Sequence, residues 1–144
     1  MAKTEFFSPP DGAFIANPKT EWLHDLILNK GDEYWNAGAG QASLKRDDDG
    51  NKVELLLTMV PTHGFYLEFI DTNNNYFVSL GEGTFDETVT VYVGGDPIVL
   101  PTALVVSKEL AVAAVDEFCR TGERSDKVSW KKRREVNWHY GFSE

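Results

Sequence analysis

The sequence predicts a single α+β domain in which two helices cover an antiparallel meander sheet of five or six strands. Three observations lead to this fold class. The chain has 144 residues, of which 42% are hydrophobic and 26% charged, and this size suits one domain with one core. Apolar residues alternate with a period of two in the middle of the chain, and they recur at helical spacing on both sides of that region.

The first 16 residues are predicted to form an extended N-terminal arm. They include three phenylalanines and two consecutive prolines without a helical or strand period, so their aromatic rings are expected to dock on the body of the protein. A short helix is predicted to follow, with Asn17 as its N-cap and Pro18 as its first residue. Four apolar residues between positions 22 and 27 recur at helical spacing, and residues 29–31 are expected to end the helix.

The alternation between residues 35 and 100 predicts the strands of the sheet. It is clearest at residues 88–93, where three valines alternate with two threonines and a tyrosine. Segments rich in glycine, proline, asparagine and aspartate separate the strands at positions 47–51, 61–64, 71–75, 81–85 and 94–96. Short turns of this kind join neighbouring strands, so antiparallel hairpins are expected.

A second helix is predicted from Ser107, whose hydroxyl suits the N-cap, to Gly122, which suits the C-terminal end. Its apolar stripe consists of Leu110, Ala111, Ala114, Val115 and Phe118. Val128 and Trp130 are expected to form a last edge strand. The α+β domain is therefore predicted to span residues 17–130, and residues 131–144 are predicted to form a basic, aromatic tail.

The charge of the chain restricts the kinds of partner that it can bind. There are 14 Lys and Arg against 23 Asp and Glu, which gives a formal net charge of -9. Residues 127–144 have five basic and two acidic side chains and carry +3, so the first 126 residues carry -12. Such a body repels nucleic acid and anionic membranes. We therefore expect a basic protein partner, no direct contact with nucleic acid and no membrane association.

The cysteine content and the absence of long apolar runs indicate a cytoplasmic protein. A single cysteine, Cys119, excludes an internal disulfide and agrees with a reducing compartment. The sequence has no signal-peptide pattern and no apolar run near the roughly 20 residues that a membrane helix needs. Cys119 follows Phe118 in the predicted helix, and we interpret it as a half-buried structural residue.

The spacing of the possible metal-binding and catalytic residues does not match that of known sites. Four residues fall on ligand positions of an EF-hand-like loop: Asp71, Asn73, Asn75 and Glu82. Tyr76 stands where that loop needs glycine, so a hairpin turn is the favoured interpretation. The three histidines, His24, His63 and His139, lack zinc-site spacing. We expect no cofactor, no metal and no catalytic residue.

The acidic residues around the predicted hairpin at positions 88–93 are the candidate binding residues. They lie close to two aromatic residues, and the whole set comprises Glu82, Phe85, Asp86, Glu87, Tyr92 and Asp96. A negative patch of this kind speeds encounter with a basic protein, and aromatic side chains anchor the complex. The alternative is a solvated acidic face without a partner.

The C-terminal tail has two possible roles. Its basic run at residues 131–134 precedes Trp138, His139 and Tyr140, a composition that binds nucleic acid through phosphate contacts and base stacking. The same run can instead fold back on the acidic body or remain disordered. The intramolecular or disordered alternative is favoured, because the body repels a polyanion held beside it.

Three stretches of the sequence carry a resemblance to a known family. They are residues 76–81 (YFVSLG), residues 91–101 (VYVGGDPIVLP) and residues 109–130, where a helix is followed by TGERS and then by VSW. The segment from Phe65 to Trp130 resembles the bacterial polymorphic-toxin immunity proteins of the family numbered first in that nomenclature, whose best-known members accompany deaminase-type toxins. The resemblance implies an α+β fold, no catalysis and neutralisation of a toxin by binding.

Charge and resemblance together predict an antitoxin, monomeric or homodimeric, that blocks the active-site groove of a cognate toxin. A toxin that acts on nucleic acid, as a deaminase or a nuclease, needs a basic groove that an acidic domain can occupy. The alternative is a small-ligand-binding or enzymatic α+β domain whose curved sheet holds an apolar pocket. The aromatic residues that would line it are Trp22, Phe65, Phe69 and Tyr76, although core packing is the more common role of such residues.

Overall fold

A computed structural model describes residues 3–8, 11–36, 38, 40–73 and 75–136 of the chain. The main sheet is antiparallel and consists of β1 (Lys3–Phe7), β2 (Phe14–Ala16), β3 (Ala42–Asp48), β4 (Asn51–Val60), β5 (Gly64–Ile70), β6 (Tyr76–Leu80), β9 (Val105–Val106) and β10 (Ser129–Lys132). A separate hairpin consists of β7 (Thr88–Val93) and β8 (Asp96–Pro101). The helices are α1 (Thr20–Asn29), α2 (Asp32–Trp35) and α3 (Lys108–Thr121).

The predicted fold class is confirmed. Strands β3, β4, β5 and β6 follow one another as an antiparallel meander. The described sheet has more strands than the five or six expected, and α2 adds a third helix. The additional elements are short, and runs of two to five residues are too brief to show a hydrophobic period.

The N-terminal segment is part of the main sheet. Strand β1 lies between β3 and β2, and Phe6 on β1 is paired with Leu44 and buried in the core. Helix α1 begins at Thr20, two residues later than expected, with Lys19 at the N-cap and no side-chain hydrogen bond there. The predicted Asn17 cap is wrong because Asn17 adopts a φ of 48° and its Oδ1 accepts a hydrogen bond from the Thr4 amide at 3.1 Å.

Helix α3 agrees with its prediction at both ends. The Ser107 hydroxyl accepts a hydrogen bond from the Leu110 amide at 3.2 Å, and Gly122 ends the helix in the left-handed conformation with a φ of 78°. This helix and α1 cover one face of the sheet. The core that they enclose includes Leu23, Ile27, Leu55, Leu57, Phe65, Leu67, Ala111, Val115 and Phe118. Trp35 closes one end, where its Nε1 donates to the Leu26 carbonyl at 2.9 Å.

The β7–β8 hairpin and the segments beside it cover part of the opposite face of the sheet. A second apolar core lies there, and its buried members are Val60, Tyr66, Val78, Val91, Leu100, Leu104, Val105 and Val136. The chain leaves β6 in close contact with β9, since a Cβ at Gly81 would lie 1.8 Å from the Val105 carbonyl oxygen. Glycine is therefore required at this crossing.

The basic run at residues 131–134 folds back on the body of the protein. Strand β10 pairs with β6 as the expected edge strand, with Trp130 opposite Ser79. A 3-10 turn (Arg133–Glu135) follows, and the Arg133 Nη1 donates to the Glu68 Oε2 at 2.9 Å. The intramolecular alternative therefore holds for this part of the tail. Trp138, His139 and Tyr140 lie outside the described residues.

Candidate functional site

The acidic loop at the base of the hairpin is held in place by hydrogen bonds to the 3-10 turn (Thr102–Leu104) that follows β8. The Thr84 amide donates to the Thr102 Oγ1 at 3.0 Å, and the Ala103 amide donates to the Thr84 carbonyl at 3.0 Å. At the end of the loop, the Thr102 amide donates to the Glu87 carbonyl at 2.8 Å. An otherwise exposed loop thus presents its side chains on an ordered backbone.

The register of the hairpin divides its side chains between two faces. Val89 and Val91 are paired with Leu100 and Ile98, and they face the second core. The alternate residues form the outer face, whose exposed members are Thr88, Thr90, Tyr92, Pro97 and Val99, while Pro101 at its base is buried. Tyr92 is 60% exposed and Val99 is 36% exposed. Exposed apolar side chains that share one face are candidates for contact with a partner.

The predicted binding residues form two groups at opposite ends of the hairpin. Glu82, Phe85, Asp86 and Glu87 lie in the loop at the base, where Phe85 is 48% exposed. Tyr92 and Asp96 lie at the tip, beside the Gly94–Gly95 turn. From Thr88 to Tyr92 the strand rises by roughly 13 Å, so the two groups do not touch. By strand alternation, Asp96 is on the same side as Ile98, not on the side of Tyr92.

Sequence reasoning missed the residues that connect these two groups. Val99 is paired with Thr90 and Pro97 with Tyr92, so an apolar strip on β8 lies beside the outer residues of β7. The Gly94–Gly95 turn contained the signal, because counting outward from it places Val99 opposite Thr90. The candidate site is therefore the outer face of the hairpin together with its acidic base loop.

The candidate site is negatively charged because the segment of the chain that contains it has carboxylates but no basic residues. No lysine or arginine occurs between Lys52 and Lys108. That segment contains seven carboxylates: Glu54, Glu68, Asp71, Glu82, Asp86, Glu87 and Asp96. The last four are exposed, and in the described part of the chain none of them forms an ion pair. Their negative charge is therefore available to a partner.

Two other candidate sites have structural roles. Asp71 closes the β5–β6 turn, where its Oδ1 accepts from the Asn73 and Asn75 amides at 2.9 and 3.0 Å, so the hairpin-turn interpretation is confirmed. Burial raises the pKa of the Cys119 thiol, Asp116 adds to the rise and Arg46 opposes it, which leaves the pKa at about 11. The thiol is therefore protonated near neutral pH and is a poor nucleophile. Among the described residues, no three metal-ligating side chains are grouped together.

The aromatic residues proposed to line an apolar pocket lie in separate places. Phe65 and Phe69 pack in the helix-side core. The guanidinium of Arg133 lies 4.3 Å from the centre of the Tyr76 ring, and Trp22 packs edge-on against Phe6. An open depression of about 640 Å³ lies along β3 and β4, and its lining is rich in charged residues. No helix in the described ranges is long and apolar enough to span a bilayer.

Comparison with known proteins identifies the family. The family model described as Immunity protein Imm1 matches residues 30–132, well over half of the chain. The match begins in front of α2 and ends at the last residue of β10, so it includes the meander, the β7–β8 hairpin and α3. No curated protein matches the chain. The resemblance seen in the sequence is confirmed, and the chain belongs to the Imm1 family of immunity proteins.

Proposed function

We propose that this Imm1 protein is a cytoplasmic antitoxin that binds a cognate polymorphic effector toxin and covers its active-site groove. The toxin is a nucleic-acid deaminase or nuclease, and the antitoxin acts by binding without catalysing a reaction. The observation that carries the proposal is the exposed, unpaired negative charge around the hairpin of a family member. Nucleic acid is a polyanion, so a groove that binds it is basic and attracts the same negative surface.

The outer face of the hairpin and its base loop suit this role in two ways. Glu82, Asp86 and Glu87 project from an ordered loop and increase the rate of encounter with a basic partner. Tyr92 and Phe85 are exposed aromatic residues, the type that provides much of the binding energy in protein interfaces. A stable complex needs an interface of roughly 1,600 Å² in total, so neighbouring surface is also expected to be buried.

Co-expression with the toxin encoded by the neighbouring gene tests the proposed function. Cells that make the active toxin are expected to survive when this protein is present and to die when it is absent. The two purified proteins are also expected to form a stable complex. Continued killing in cells that contain abundant, folded protein would refute the proposal.

Charge reversal tests the assignment of the acidic base loop. The triple variant Glu82→Lys, Asp86→Lys and Glu87→Lys should reduce the association rate by about tenfold or more at low ionic strength, with a smaller reduction in high salt. A matched control reverses Glu33, Glu123 and Asp126, which are exposed and lie outside the hairpin. Both variants change the net charge equally, so an equal loss of rate in the two would remove the base loop from the proposed interface.

A further inference from the structure

The two edges of the β7–β8 hairpin differ in their hydrogen-bonding capacity. Pro97 on β8 is paired with Tyr92, and Pro101 is paired with Thr88. Proline has no amide hydrogen, so neither pair can exchange the two hydrogen bonds of a hydrogen-bonded pair. Both are therefore non-hydrogen-bonded pairs, in which the backbone amides and carbonyls point away from the partner strand. Hydrogen-bonded and non-hydrogen-bonded pairs alternate along the hairpin. Thr90 and Val99 lie two positions from each proline pair, so they also form a non-hydrogen-bonded pair.

Strand β8 is protected against the addition of another strand. Its outward backbone positions are Pro97, Val99 and Pro101, and two of these three lack an amide. Proline at outward positions is a common means by which proteins block strand addition at an exposed edge. Among these three positions, the outer edge of β8 can therefore donate a hydrogen bond only from the Val99 amide, although its carbonyls can still accept.

The first half of strand β7 has no proline at its outward positions, so its edge is not protected against the addition of a strand. Its outward positions are Thr88, Thr90 and Tyr92, and each of them has an amide. At the tip, the backbone of Gly40 lies close to the Tyr92 carbonyl, since a Cβ at Gly40 would be 2.1 Å from that oxygen. Thr88 and Thr90 are exposed. Their amides and carbonyls form an edge on which a further strand can pair.

We infer that the β7 edge at Thr88 and Thr90 accepts an extended, basic segment of the toxin as an added strand. This inference rests on the proposed function. Backbone hydrogen bonds to the edge would supply affinity, as in other complexes formed by strand addition. The added strand would lie about 4.8 Å from β7, with its side chains beside the outer face and next to the acidic base loop.

The charge of the hairpin favours a basic partner over a second copy of this chain. Two copies paired edge to edge through β7 would bring their own carboxylates, including Glu87 next to Thr88, close together. Like charges brought together in this way destabilise an interface. The hairpin contains no lysine or arginine that would offset the repulsion.

Amide hydrogen exchange tests the inference directly. The probe is the purified toxin domain encoded by the neighbouring gene, and exchange is followed by NMR in the free protein and in the complex. The Thr88 and Thr90 amides should exchange rapidly in the free protein and at least about tenfold more slowly in the complex, while the Val99 amide stays fast. A complex that leaves Thr88 and Thr90 unprotected would overturn the inference but leave the proposed function intact, whereas absence of any complex would refute both.

A proline substitution provides a second measurement. Thr90→Pro removes an outward amide and keeps the hydrogen bonds within the hairpin, as Pro97 and Pro101 do on β8, so affinity for the toxin should fall by about tenfold. Thr90→Val keeps the amide and changes only the side chain, so Thr90→Pro should bind the toxin about tenfold more weakly than Thr90→Val does. Equal losses of affinity in Thr90→Pro and Thr90→Val would overturn the inference. Protection of the Thr90 amide that rises with the concentration of the free protein would also overturn it, because two copies would then pair through this edge.

Discussion

Glu68 differs from the other carboxylates of this acidic chain because it is buried within the sheet. The Tyr66 hydroxyl donates to its Oε1 at 3.1 Å, and Arg133 donates to its Oε2 at 2.9 Å. Burial raises the pKa of Glu68 to about 7, Arg133 opposes this shift and Glu54 reinforces it. The same contact fastens the segment after β10 to the sheet. One side chain thus connects the basic run to the body and makes its packing sensitive to pH.

Glu68→Gln should change how the stability of the protein depends on pH. In the natural protein the pKa of Glu68 is about 7 when folded and 4.5 when unfolded, so the folded state binds more protons between these values. The stabilisation from Glu68 is therefore complete below pH 4.5 and is lost as pH rises through 7. Denaturant unfolding from pH 4 to 8 should show the natural protein losing stability relative to Glu68→Gln.

An NMR titration of the Glu68 carboxyl provides the control for this prediction. The midpoint should lie near pH 7, and in Arg133→Gln it should move to higher pH because the guanidinium favours the charged carboxylate. A midpoint near 4.5, or a constant stability difference between the natural protein and Glu68→Gln across that pH range, would contradict the assignment.

Helix α3 shows where local sequence is sufficient to define an element. Its N-cap hydrogen bond from Leu110 to Ser107 is confirmed, so Ser107→Ala should lower the free energy of unfolding by about 1 kcal/mol. Ser107→Asp keeps an acceptor at the cap and should retain most of that stability. Denaturant unfolding of both variants is the measurement. Equal losses in the two would show that the Ser107 acceptor does not stabilise the helix.

Helix α1 shows where local sequence is insufficient. Asn17 and Pro18 match a helix start as well as Ser107 does, but the Asn17 side chain bonds to the amide of Thr4 on β1. That strand pairs with β3, which lies almost 40 residues further along the chain. The position of β1, and with it the bond between Thr4 and Asn17, depends on this pairing with a distant strand. The residues around Asn17 do not reveal that pairing, so the start of the helix could not be predicted from them.

The hairpin combines both situations. The turn at Gly94–Gly95 and the alternation in β7 predicted its strands and the exposure of Tyr92. The position of Val99 beside Thr90 was also contained in the sequence, but it required the register to be counted from the turn. What the sequence could not show is that the hairpin leaves the main sheet and covers its second face, because this depends on packing between distant elements. The choice of docking residues remains a prediction.

At the scale of the whole molecule, the described residues form two apolar cores that share one sheet. Adjacent residues of β4, Met59 and Val60, point into different cores, as do Phe65 and Tyr66 of β5. Damage to the hairpin-side core should therefore spread through these strands to the helix side. This arrangement also holds the hairpin against the sheet, since its inner side is part of a packed core.

Leu100→Ala tests this coupling, because Leu100 is fully buried between the hairpin and the sheet. The cavity should cost about 2–5 kcal/mol of unfolding free energy, while Val99→Ala, one residue away and partly exposed, should cost less than about 0.5 kcal/mol. With Trp22, Trp130 and Trp138 replaced by phenylalanine, the fluorescence of the buried Trp35 reports the helix-side core. If the whole protein unfolds in a single cooperative transition, Leu100→Ala should lower the midpoint of the fluorescence change and should speed amide exchange in both cores. An unchanged fluorescence midpoint with rapid exchange confined to β7 and β8 would mean that the hairpin unfolds independently.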